Sequence, residues 1–136
     1  MEARSSHMVV ERSQVISYGE QRLLQGYAGE LGRRAGCEGF VTFIEDASIP
    51  MLMVMFTLAV NGEPLTLGHI LVTNADTGAQ ACTIRGPNRE RLDGPDLFPN
   101  VVAALEALNP MLRDMADAAR KVLKPTFRER VSRFFR

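Results

Sequence analysis

Met51-Leu52-Met53-Val54-Met55-Phe56-Thr57-Leu58-Ala59-Val60 is a run of ten residues without a charge, a glycine or a proline. Pro50 precedes it and Asn61-Gly62-Glu63-Pro64 follows it. A membrane-spanning helix needs about 20 apolar residues, so the run is too short for one and reads as a central β-strand covered on both faces. Side chains alternate along a strand. Leu52, Val54, Phe56, Leu58 and Val60 therefore share one face, and Met51, Met53, Met55, Thr57 and Ala59 share the other. The first face carries branched and aromatic shapes that suit a core. The second carries a row of unbranched methionines, which more often fill irregular core gaps than form an adaptable binding surface.

Working outward, Asn61-Gly62 between two β-rich runs favours a hairpin turn with positive φ, and the next strand is expected over Leu65 to Thr73. Asn74-Ala75-Asp76-Thr77-Gly78 supplies a second turn, and Ala79 to Arg85 gives a shorter strand suited to a sheet edge. Upstream, Gly39 to Glu45 reads as a strand closed by Asp46-Ala47-Ser48-Ile49-Pro50. Short turns between successive strands make an antiparallel meander. Gly86 to Pro99 holds Pro87, Pro95 and Pro99 with two glycines and five charges, and is expected to be a long exposed loop.

Helices are expected on both sides of the strands. Ile16, Leu23, Leu24, Tyr27 and Leu31 have helical spacing, and Gly36 after Arg33 and Arg34 is a natural helix stop. Gly26, Gly29 and Gly32 weaken this helix, break it near its end, or permit close approach to the sheet. Asn100 is a good N-cap for the stripe Val101, Leu105, Leu108, Leu112, Met115, Ala119 and Val122, which stays in phase across Pro110 and so favours one kinked helix over two short ones. Pro125 ends it. Thr126 can cap a last helix over 126–136, where Phe127, Val131, Phe134 and Phe135 lie beside Arg128, Arg130, Arg133 and Arg136. The expected fold is α+β: a four-stranded antiparallel sheet with an N-terminal helix and C-terminal helices packed on it. One helix followed by four antiparallel strands is similar in element order to the cystatin-like arrangement, a likeness that shares no motif and implies no function.

The chain has 136 residues, one domain's worth, and 46% of them are apolar, enough for a core without disulfides or metals. Met1 to Met8 resembles a vector-derived leader, which leaves a single domain over 9–136. Sixteen basic and sixteen acidic residues cancel overall, against a dedicated basic nucleic-acid binder. They are segregated, however. From Arg120 to Arg136 seven basic residues meet Glu129 alone, whereas 37–119 holds eleven acids and four arginines. Such a tail either docks on its own domain or is held out for a partner. No secretory signal and no apolar segment of transmembrane length is visible, which favours the cytoplasm.

Few residues suggest chemistry. Cys37, His69 and Cys82 are the ones suited to a nucleophile or a soft metal, but zinc needs about four ligands and a Cys-His pair needs an orienting group. A buried Cys and a hydrogen-bonded strand His are the more ordinary outcome, and no metal or cofactor is expected. Arg85, Arg89 and Arg91 near Gly86 can clamp an anion, or can be neutralised by Glu90, Asp93 and Asp96 of the same loop. The residues expected to meet a partner are Met51, Met53 and Met55 on the sheet, with Phe127, Arg128, Val131, Phe134 and Phe135 in the tail; the tail's aromatics can equally cover this protein's own sheet or that of a second subunit. The expected function is a non-enzymatic protein-binding or adaptor module acting as a homodimer. Nucleic-acid or anionic-surface binding through the basic tail is the alternative, and a small-ligand enzyme with a pocket near His69 and Cys82 is the second.

Overall fold

A computed structural model of the chain describes residues 15–46, 51–74 and 79–123. The expected leader and the expected last helix over 126–136 both lie outside the described residues. In chain order the elements are α1 (Tyr18–Ala35), β1 (Glu38–Asp46), β2 (Met51–Val60), β3 (Glu63–Asn74), β4 (Gln80–Arg85) and α2 (Val101–Val122). The strands form one antiparallel sheet in the order β1-β2-β3-β4, the meander that the turn residues imply. At the β2–β3 turn Asn61 and Gly62 both have positive φ, 53° and 83°, as a tight two-residue hairpin requires. The β2–β3 register slips between Phe56 and Thr57, where Leu67 is the extra residue of a bulge. Strand β3 begins at Glu63, two residues before the expected Leu65, and so includes Pro64.

Both helix starts are chemically specified. Ser17 and Glu20 form a reciprocal capping box, with Ser17 Oγ accepting from the Glu20 N–H at 3.1 Å and the Glu20 carboxylate accepting from the Ser17 N–H at 2.8 Å. Asn100 Oδ1 accepts from the Ala103 N–H at 2.8 Å. Gly36 stops α1 in the left-handed conformation, φ 79°. Pro110 lies inside α2, which continues as one helix to Val122.

Both helices pack on the same face of the sheet. Leu52, Val54, Phe56 and Leu58 of β2 are fully buried there with Leu24, Ala28 and Leu31 of α1 and Leu108, Leu112 and Ala116 of α2. The inward stripe of α1 is Gln21, Leu24, Ala28, Leu31 and Ala35; Leu23, expected to be inward, is 45% exposed because it falls one position off that stripe. Likewise Val122 at the end of α2 is 65% exposed. Two glycines let α1 and β1 touch backbone to backbone: a Cβ on Gly39 would lie 2.2 Å from Ala28 O, and one on Gly32 would lie 2.3 Å from Gly39 N.

The helices are tied at both ends. Gln80, at the start of β4, donates through Nε2 to Val15 O and to the Glu20 carboxylate, while its Oε1 accepts from the Val101 N–H, so one side chain holds the N-terminal ends of α1 and α2. At the far end Arg34 forks onto Asp117 at 2.7 and 3.0 Å and Asn61 Nδ2 donates to Val122 O at 3.1 Å. Between them Tyr27 meets Phe56 edge to face and donates its hydroxyl to Asn109 Oδ1. The expectation that the central strand is covered on both faces holds, among the described residues, for one face only.

Candidate functional site: the helix-free face of the sheet

The register of the four strands determines which residues share the second face. Ile44 opposes Met53, Met53 opposes Leu71, and Leu71 opposes Thr83, a row that crosses the whole sheet. The next row is Thr42, Met55, His69 and Arg85, and beyond the bulge Thr57 lies between Phe40 and Thr66. Met51 pairs with Thr73 at the other end. Ile44 is 46% exposed and Met51, Met53, Met55, Phe40 and Leu71 are half-buried. A band of apolar side chains thus meets solvent along the middle of this face, bordered by threonines.

The strands make this surface as a consequence of alternation. The residues that satisfy the core on one side force their neighbours onto the other, and in the row Ile44, Met53 and Leu71 those neighbours are apolar. Phe40, Ile44 and Leu71 join the methionines here, although no reading of the isolated strands singled them out. The signal that finds them is the alternation of β1 and β3, which becomes usable once the register to β2 is known.

Three polar side chains on this face are buried. Thr42, Thr57 and His69 are 4%, 3% and 3% exposed. The Nδ1 of His69 lies 2.9 Å from Gly86 O, and since a carbonyl only accepts, Nδ1 carries the proton in that contact. Thr66 Oγ1 points its hydrogen at the Met55 sulfur, 3.9 Å away. Thr57 Oγ1 is buried with no hydrogen-bond partner among the described residues, a cost of about 1–3 kcal/mol for a hydroxyl removed from water.

The three arginines expected to clamp an anion are divided by the structure. Arg85 and Arg91 oppose each other in an isolated antiparallel bridge and line one pocket beside β4, with Asp96 ion-paired to Arg91. Arg89 does not line it. Arg89 sits in the tight turn after Gly86 with φ 62°, its N–H donating to Gly86 O at 3.0 Å. The segment expected to be a free loop is held against β4 a second time, through Phe98 and Cys82, whose backbone groups exchange bonds of 2.9 and 2.8 Å.

Cysteine and histidine chemistry is not assembled. Cys82 faces the helices, since it opposes Val72 on the core side, while His69 opposes Met55 and Arg85 on the other face. Alternation therefore separates the two side chains by the thickness of the sheet, and the pocket expected between them has no geometry. Both thiols are free; burial pushes Cys82 up to about 11 and also raises Cys37. A raised thiol gives less of the nucleophilic thiolate at neutral pH, the opposite of an activated cysteine. No three His, Cys, Asp or Glu side chains among the described residues converge as metal ligands, and no described helix is long and apolar enough to cross a membrane. Phe127, Arg128, Val131, Phe134 and Phe135 lie outside the described residues.

No protein family, curated protein or solved structure matches the chain.

Proposed function

We propose that this protein is a non-enzymatic protein-binding or adaptor module that acts as a homodimer, with the helix-free face of the sheet as its contact surface. The observation that carries this reading is the apolar row Ile44, Met53 and Leu71 on a face to which neither α1 nor α2 contributes cover. Apolar surface removed from water contributes roughly 25 cal/mol per Å², and a self-complementary patch is the simplest way for a single chain to remove it. Methionines suit such a contact because their unbranched side chains adapt to an opposing surface. Light scattering across a concentration series tests this. The wild-type chain is expected to run as a dimer and Met53→Lys as a folded monomer; a wild-type monomer at high concentration refutes the reading.

A second reading rests on charge segregation: the basic residues from Arg120 to Arg136 bind nucleic acid or an anionic surface. Removal of residues 126–136 separates the two. Loss of dimerisation on truncation would make the tail the contact, whereas unchanged dimerisation with loss of a steeply salt-dependent binding to nucleic acid or anionic vesicles would support the second reading.

A further inference from the structure

The segment after β4 folds back along that strand and meets it at two points, Arg91 opposite Arg85 and Phe98 opposite Cys82. Between those points residues 92–97 arch away. The space left is a pocket of about 300 Å³, with Thr83, Ile84, Arg85, Arg91 and Asp96 in its lining. Two cationic side chains converge on it. Opposed residues of an antiparallel bridge send their side chains from the same face with Cβ atoms roughly 5 Å apart, so Arg85 and Arg91 both start from one side of the bridge and line the same pocket. Like charges so placed are unfavourable without a counter-charge. Asp96 neutralises one of them, through its ion pair with Arg91, and leaves the lining with a net positive charge.

The backbone adds a donor. Both peptide groups of Cys82 bond to Phe98, so they point outward from β4 toward the returning segment. In an antiparallel strand the residue two positions on has the same orientation, so both the N–H and the C=O of Ile84 point outward from β4, and the N–H supplies a donor on the edge that lines the pocket. A guanidinium fork beside an outward amide N–H is the donor set that recognises an oxyanion.

We propose that this pocket binds a carboxylate or phosphate group, with Arg85 as its principal cation, Arg91 assisting and the Ile84 N–H completing the donors. Arg89, although it is in the same segment and has the same charge, takes no part, because it does not line the pocket. Binding here does not require the helix-free face to be an interface.

The test is a titration of the isotope-labelled full chain with inorganic phosphate and, separately, with acetate, followed by amide chemical shifts. Saturable shifts at Ile84, Arg85 and Arg91 are expected with at least one of the two. Loss of one charge-assisted donor is expected to weaken the tighter of them about tenfold in Arg85→Gln, and Arg89→Gln is expected to bind as the wild type does. Dispersed amide spectra are expected of both variants and serve as the check that they are folded. Tighter phosphate binding would support a site for phosphate-bearing ligands, and tighter acetate binding a site for carboxylates. Absence of saturable shifts with either anion would overturn the proposal. An equal loss of affinity in Arg89→Gln and Arg85→Gln would do so too, since binding would then follow net charge alone.

Discussion

The two faces of this sheet are built from the same four strands and differ in how their side chains are held. On the helix-covered face Phe43, Val54, Ile70 and Ile84 make one row, with exposures of 7%, 0%, 0% and 8%. One residue along on each strand, Ile44, Met53, Leu71 and Thr83 make the adjacent row on the other face, and none of the four is buried. The covered row interlocks with two helices, so its shapes are specified by their neighbours. The free row has no such partner within the described chain, and its flexible methionine is the kind of residue that tolerates an imprecise contact. The same alternation gives one face to the helices and leaves the other without helix cover.

Substitutions that treat the two faces alike are the strongest way to break this contrast. Phe56→Ala, under Tyr27 on the covered face, is expected to lose about 4 kcal/mol in urea unfolding, while Met53→Ala loses less than about 1 kcal/mol of monomer stability. Comparable losses would mean that the methionine face is a second core. Gly39→Ala tests the close approach of α1 to β1. Its Cβ meets backbone and not a movable side chain, and a loss of about 3 kcal/mol is expected, whereas Gly62→Ala, with open space around its Cβ, suffers only the strain of positive φ.

Titration separates the faces more gently. Burial raises Tyr27 to about 12 from 10.0 and Cys82 to about 11 from 9.0, and both belong to the covered side. A folded-state value above the unfolded one gives stability that is intact below pH 9 and falls as pH rises through 11 and 12. Thermal melts are therefore expected to weaken over that alkaline window, and less so in Cys82→Val. The smallest effect is on the acid side. Hydrogen bonding to Arg34 holds Asp117 below its usual 3.8, so its contribution is present above that value and is lost as pH falls through the lowered one. Asp117→Asn is expected to flatten the acid limb of a stability profile slightly, as befits an exposed ion pair.

Much of the covered side was legible because its signals are local. The Asn61-Gly62 turn, the Gly36 stop and the Asn100 cap each act within a few residues, and they fixed the meander and the helix ends. The Ser17-Tyr18-Gly19-Glu20 capping box is equally local and marks the start of α1, whereas Leu23 and Leu24 both fit helical spacing and only the packing separates the exposed one from the buried one. The features that escaped depend on distant partners. Gln80 is an ordinary strand residue until α1 and α2 bring Val15, Glu20 and Val101 to it. The return of 86–98 to β4 rests on two isolated bridges, which leave no periodicity in sequence. That return is also what separates Arg89 from Arg85 and Arg91. For the methionines, alternation identified the face, but only the shared placement of both helices showed which side they leave free.

The central claim is that the helix-free face meets a second copy of the chain. It is tested most directly in a mixed dimer in which one subunit carries labelled methionine methyl groups and the other does not. Intersubunit contacts are predicted at Met51, Met53 and Met55, and none at Met111 and Met115, which pack against the core on the helix side. Contacts confined to Met111 and Met115, or none at any of the five, would contradict it.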